Sequence, residues 1–385
     1  MVRFLKADKL FNGKEYLADD QVLVLDNQNS LKEIVSENTL DKNTIERLVG
    51  IITPGFINAH CHLELSHLKG MIPLHTGLPA FAKQVVATRN SLDKKEISSK
   101  MQEANLEMWN NGIVAVGDIS NTEDSFQEKL NSKIYYHTFI ELIGLNPVNS
   151  KTVFEKGLIL LQKLRDRTLV GSLAPHAPYS TSKELIILIA NFNHEINQSL
   201  TIHNQESEEE SKFFNGEPNA FEDLYNSLGL DLSWYKAPGM SSVLYYLEVL
   251  SDKPSILVHN TFTTSAEIKA AENKNIYWCF CPGANTYIEN RLPDFSIFAN
   301  QKNKIVMGTD SLASNSRLDL IKEANLILQS TRSFSVQTML QALTANGAAA
   351  LGISNDYGNF IIGKNAGLNL VNSTGSKINF IKKIT

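Results

Sequence analysis

Two histidines stand two residues apart in Pro54-Gly55-Phe56-Ile57-Asn58-Ala59-His60-Cys61-His62. In a β-strand, residues i and i+2 share a face, so His60 and His62 can reach one point while Cys61 turns away. His203 and Asp310 close later apolar runs and can converge on the same point. Three neutral nitrogens and one carboxylate oxygen suit a single divalent cation at about 2.0–2.2 Å, zinc first and ferrous iron as the alternative. Such an ion lowers the pKa of a bound water towards about 7, which yields hydroxide at neutral pH.

These residues need elements that carry them to one place. Eight short apolar runs alternate with helical patterns, at 55–59, 113–117, 134–140, 168–174, 200–202, 255–258, 276–280 and 305–309. The helical patterns between them include 100–110, 153–165, 183–193, 241–250 and 318–329. This rhythm predicts an α/β fold with a parallel sheet, read as a (β/α)8 TIM-like barrel, with a doubly wound open sheet as the other arrangement. Seven of the eight runs lead into a titratable side chain: His60, Asp118, Glu141, His176, His203, His259 or Asp310. In a barrel those C-terminal ends share one rim, where active sites are built. Short apolar runs at both chain ends (4–5, 21–25, 31–35, 369–371 and 377–381) cannot bury themselves alone. They are expected to pair into a small β-sandwich domain of residues 1–54 plus 358–385, leaving residues 55–357 as the barrel.

Taken together the motifs resemble those of the amidohydrolase superfamily. The His60-Cys61-His62 segment is similar to its first-strand motif, with cysteine where threonine is usual. His203-x-x-Glu206, Val258-His259-Asn260 and Gly308-Thr309-Asp310-Ser311 resemble its fifth-, sixth- and eighth-strand motifs. His176-Ala177-Pro178-Tyr179 looks like the fourth-strand motif of the adenosine and S-adenosylhomocysteine deaminase branch. His62-Leu63-Glu64-Leu65-Ser66 with Thr309–Asn315 looks most like the aminodeoxyfutalosine deaminases of menaquinone biosynthesis. The tryptophan-rich segment associated with homocysteine-deaminating relatives is not evident in 74–89.

The resemblance implies a metal-dependent deaminase of an adenine-type nucleoside such as 6-aminodeoxyfutalosine or adenosine. His60, His62, His203 and Asp310 would hold one metal ion, and Asp310 would also take a proton from the attacking water. His259 would orient the hydroxide and stabilise the tetrahedral intermediate, Glu206 would shuttle protons, and His176 would bind substrate. Glu141, at the third strand end, is a further candidate substrate contact. Chemistry gives Glu206 its importance: an aminated aromatic ring resists attack until its ring nitrogen is protonated, and the amine needs another proton to leave as ammonia. Chloride leaves without one, so a carboxyl here favours deamination. The alternatives are guanine, cytosine, triazine and cyclic-amide hydrolysis with the same metal, or a dead scaffold, which would require lost ligands.

Plainer readings apply elsewhere. Glu208, Glu209 and Glu210 form a charge run and read as a solvated face. Asp118 and Glu64 can serve structural hydrogen bonds as readily as substrate, and His67, His75, His137 and His194 read as surface or core. With 36 basic against 41 acidic residues the net charge is −5, which disfavours nucleic acid and anionic membranes as partners. Cys61, Cys279 and Cys281 form no disulfide framework. A charged start and the lack of a long apolar run point to the cytoplasm. The expected partner is a small-molecule substrate; relatives often form dimers, but no homodimer interface is legible.

Overall fold

The computed structural model describes residues 2–385. Its strands are β1 (Arg3–Leu10), β2 (Gln21–Leu25), β3 (Leu31–Ser36), β4 (Ile45–Pro54), β5 (Phe56–Cys61), β6 (Ile113–Ser120), β7 (Tyr135–Leu142), β8 (Val170–Pro175), β9 (Leu200–Asn204), β10 (Ser255–His259), β11 (Ile276–Phe280), β12 (Ile305–Met307), β13 (Leu368–Thr374) and β14 (Lys377–Lys383). β5 to β12 lie at the eight expected runs. They form two four-stranded parallel sheets, in the orders β5-β6-β7-β8 and β9-β10-β11-β12. These strands are buried along nearly their whole length, as expected for parallel strands covered on both faces.

Hydrogen bonds join the two sheets at both junctions. His203 N–H donates to the His176 carbonyl at 2.9 Å beyond β8, and Thr309 and Asp310 N–H both donate to the His60 carbonyl at 3.1 Å beyond β12. One apolar cluster lies inside the sheets (Ile57, Ala59, Phe139, Val258, Cys279, Cys281). A larger one lies between the strands and the helices outside them, including Met101 and Met108 of Lys94–Asn110 and Leu161 and Leu164 of Ser150–Asp166. Thus Cys279 and Cys281 are core residues.

The chain ends do pair, but not as a sandwich. They make a single six-stranded sheet in the order β14-β13-β4-β1-β2-β3. The deciding strand is β4, which sequence reading missed because Glu46, Arg47 and Val49 interrupt its apolar pattern with exposed positions. β4 pairs in parallel with β1 on one edge and antiparallel with β13 on the other. With both edges of β4 occupied, the C-terminal hairpin extends the sheet sideways instead of stacking on its face. Gly50 makes the junction possible: its φ is 123° and a Cβ there would meet the Val371 carbonyl oxygen at 2.4 Å. No helix among the described residues is long and apolar enough to cross a membrane.

Candidate active site

The strand ends gather the predicted ligands. His60 Nε2 lies 3.1 Å from His62 Nε2, which lies 3.3 Å from His203 Nε2. Asp310 Oδ1 is 3.4 Å from both His60 Nε2 and His62 Nε2. All four residues are buried. A tetrahedral ion with bonds of about 2.0–2.1 Å spaces neighbouring donors about 3.3–3.4 Å apart. These four spacings lie near that edge, all four donor atoms lie within 4.8 Å of one another, and without a cation three imidazole nitrogens and a carboxylate would crowd their lone pairs together. The donor set therefore fits one divalent ion.

Local backbone explains the convergence. The register between β5 and β6 shifts between Asn58 and Cys61, an irregularity that re-aims side chains at a strand end. Cys61 consequently packs in the outer apolar cluster. Asn58 pins the opposite strand end, donating to Thr309 Oγ1 at 2.8 Å and accepting from Thr309 N–H at 3.1 Å. Four rim residues adopt left-handed φ without being glycine: Gln205 (48°), His259 (76°), Asn260 (57°) and Asp310 (55°). Each such residue costs on the order of 1–3 kcal/mol, and they persist where surrounding contacts over-determine them.

A second layer sets protonation. His203 Nδ1–H donates to the His176 carbonyl at 2.7 Å, leaving Nε2 free to ligate. His259 Nδ1–H donates to Asn285 Oδ1 at 2.7 Å, so its Nε2 carries a lone pair, 3.5 Å from Glu206 Oε1. Burial lowers the pKa of His62 to about 3 and those of His259 and His176 to about 4, and pulls His203 well below the usual range. Burial also favours protonated Asp310, but a hydrogen bond with His60 and the nearby imidazoles outweigh it and hold the carboxyl well below normal. Its Oδ2 accepts from the Ser314 hydroxyl. Glu206 behaves oppositely: burial, then repulsion from Asp310, pushes it well above the carboxylate range.

The cavity above the donors has one polar and one apolar wall. Glu141 Oε2 accepts from Asn121 Nδ2 at 2.9 Å, while Oε1 is buried with no hydrogen-bond partner. Burial raises Glu141 to about 7. His176 Nδ1 is 2.6 Å from Ser180 Oγ, and its ring also lines the cavity. The apolar wall is helix Leu78–Thr88, whose Leu78, Phe81, Ala82 and Val85 face the cavity at helical spacing. Arg89 ends that wall, paired to Glu64 at 3.0 Å.

Other candidates leave the site. Asp118 forms a buried ion pair with Lys129 at 2.6 Å and accepts Leu63 N–H at 2.8 Å. Glu64 accepts Asn121 N–H at 3.1 Å as well as Arg89, a structural clamp between loops. His67 and His137 are buried away from the cavity, and His75 and His194 are exposed. The solvated-face reading fails for Glu210, which is buried and accepts the backbone N–H groups of Gln205 and Glu206. Asn285 and Asn121 escaped sequence reading because single polar residues in loops and helix starts carry no spacing signal, and Ser314 stood there only as part of the Thr309–Asn315 motif.

The amidohydrolase family model matches residues 51–384. The chain belongs to this family. As an amidohydrolase it is a hydrolase acting on carbon–nitrogen bonds. It is similar to an adenosine deaminase of Helicobacter pylori, 26% identical over 313 residues that cover 79% of this chain and 75% of the relative. It is also similar to an aminodeoxyfutalosine deaminase of Nitratiruptor sp., 22% identical over 332 residues, covering 83% and 78%. Among solved structures, the Helicobacter pylori aminofutalosine deaminase in complex with methylthio-coformycin superposes with a TM-score of 0.79 at 22% identity, covering 97% of this chain and 93% of that one. That last likeness is one of fold.

Proposed function

We propose that this amidohydrolase deaminates an adenine-type nucleoside, 6-aminodeoxyfutalosine, adenosine or a related 5′-substituted adenosine, releasing ammonia. The observation that carries the reading is Glu206: a buried carboxyl, its pKa raised by burial, 3.5 Å from His259 and beside a four-donor cluster. The activities for which the Helicobacter and Nitratiruptor relatives are named support it.

In this reading His60, His62, His203 and Asp310 hold one metal ion, zinc before iron. Bound there, the ion supplies Lewis acidity and a nucleophilic water at neutral pH. The ionised Asp310 takes a proton from the attacking water. His259, its Nδ1–H engaged by Asn285, offers Nε2 to orient that water. Glu206 gives its proton to the ring nitrogen next to the carbon that bears the amine. As the carbon–oxygen bond forms and the carbon–nitrogen bond breaks, the amine collects, through Glu206, the proton that Asp310 took from the water and leaves as ammonia, and the proton of the new hydroxyl returns to Glu206. Glu141 Oε1 and His176 Nε2 face the sugar side of the cavity as hydrogen-bonding groups. The two sheets form the halves of one closed (β/α)8 barrel over residues 55–357, with residues 1–54 and 358–385 as the smaller β unit.

Ammonia release from adenosine, 5′-deoxyadenosine and 6-aminodeoxyfutalosine, with guanine, cytosine and an aminotriazine in parallel, tests the substrate class. Turnover of a 6-aminopurine nucleoside is expected. Turnover of guanine, cytosine or the triazine alone would replace the reading. In the same assay Glu206→Gln should keep its metal and lose activity on the order of 10²–10⁴-fold.

A further inference from the structure

We propose that Glu210 is a positioning residue for Glu206, and this rests on the nucleoside-deaminase reading above. Ser207 and Glu210 have the spacing of a capping box at the start of helix Glu208–Asn215. Ser207 plays the ordinary part, its hydroxyl accepting Glu210 N–H at 3.3 Å. In the ordinary box, the glutamate returns to the N-cap residue's own N–H. Glu210 instead reaches past Ser207, one carboxylate oxygen accepting Gln205 N–H at 3.1 Å and the other Glu206 N–H at 3.2 Å.

Those two N–H groups lie on the strained link between β9 and the helix, where Gln205 has a φ of 48°. Neither has another acceptor. The Gln205 side chain is fixed separately, donating to Glu267 Oε1 at 2.6 Å and accepting from the Thr263 hydroxyl at 2.6 Å. The carbonyls of the same two peptides are held from the other side, Asn204 accepting Asn260 N–H and Gln205 accepting Phe262 N–H, each at 3.0 Å, so Glu210 supplies the N–H half of the clamp on the peptide from which the Glu206 side chain departs towards His259. Removing it frees two buried donors and lets the link relax out of its left-handed turn. The carboxyl of Glu206 then loses its aim while the four-donor cluster, held by β5, β9 and the end of β12, stays in place.

The test compares Glu210→Ala, Glu210→Gln and Ser207→Ala with Glu206→Gln on two substrates: adenosine, whose amine must be protonated to leave, and 6-chloropurine riboside, whose chloride need not be. Metal content and Tm are measured alongside. Glu210→Ala is expected to keep its metal and lose kcat on adenosine on the order of 10²-fold, the scale of a small misplacement of a reacting group, with KM little changed. Its adenosine-to-chloride rate ratio should fall in the same direction as that of Glu206→Gln. Ser207→Ala should lower Tm and leave the ratio alone. If Glu210→Ala does not fold, Glu210→Gln, which keeps one acceptor, should give an intermediate ratio. A wild-type ratio in the folded variant, or loss of metal, overturns the proposal. If the wild-type protein turns over neither substrate, the nucleoside reading fails, and a crystal structure of the variant decides the positioning role: an unmoved Glu206 overturns it.

Discussion

The two walls of the cavity are built on different terms. On the polar side two of the donors are each fixed twice: Asp310 by its own N–H on His60 and by the Ser314 hydroxyl, and His203 by its backbone N–H and its Nδ1–H on the same carbonyl. Strained φ values at Gln205, His259 and Asp310 survive because of those contacts. On the apolar side, helix Leu78–Thr88 and Ile143 offer only side-chain surface, and Val86 and Ile143 remain 53% and 55% exposed. The donors are held by over-determined backbone, whereas the apolar wall rests on packing that can change without disturbing them.

The strongest way to break that contrast is to remove a donor. His62→Ala or Asp310→Ala should lower metal affinity by more than about 100-fold, since loss of second-layer partners alone costs 10–100-fold. Chelator competition and elemental analysis measure it. Ser314→Ala removes a hydroxyl that touches no donor but the Asp310 carboxylate and should fall in the lower range. Wild-type metal affinity in either donor variant would show that the cluster is not the metal site, whatever happens to activity.

The polar wall was legible in the sequence and the apolar wall was not, for a physical reason. Metal chemistry demands particular residue types at particular strand offsets, so His60, His62, His203 and Asp310 announce themselves by spacing. The parallel strands were legible too, because burial on both faces makes each a continuous apolar run bounded by polar turns. Helix Leu78–Thr88 was missed: its work is done by leucine, phenylalanine, alanine and valine, which are ordinary core residues in any helix. β4 was missed because Glu46, Arg47 and Val49 in its first half are exposed, although it joins the chain ends. Glu210 was misread because a glutamate run at a helix start is normally solvated; its S-x-x-E spacing with Ser207 was the available signal.

The floor beneath the polar wall offers a sharper measure of how dry that side is. His137, Phe139 and Glu141 alternate on one face of β7, and His137 lies 3.0 Å from Ser172 Oγ with burial lowering its pKa to about 4. A histidine kept neutral in the native state binds fewer protons than in the unfolded chain, whose ordinary value is about 6.5. Its contribution is present above pH 6.5 and is lost as the pH falls towards 4. The slope is about 1.4 kcal/mol per pH unit for one proton. Buried glutamates with raised pKa values slope the other way, so the contrast with His137→Gln isolates this group. Measured by urea unfolding of metal-free protein, wild type should lose stability relative to the variant on acidification across that window. Parallel curves would mean that His137 is hydrated.

The smallest expected effect belongs to the apolar wall, and it tests the other half of the comparison. A bound nucleoside with an apolar 5′ substituent can cover the exposed halves of Val86 and Ile143. Removing half a side chain's worth of apolar burial costs about 1 kcal/mol, or roughly fivefold in binding. Val86→Ser and Ile143→Ser should each raise KM for 5′-methylthioadenosine by about that factor more than for adenosine, which lacks the apolar group. The two positions come from different elements, so the double variant should combine both losses nearly additively. Metal content should not move, because neither residue touches a donor. Equal rises for both nucleosides would place the 5′ substituent elsewhere, and a loss of metal would show that the two walls are coupled after all.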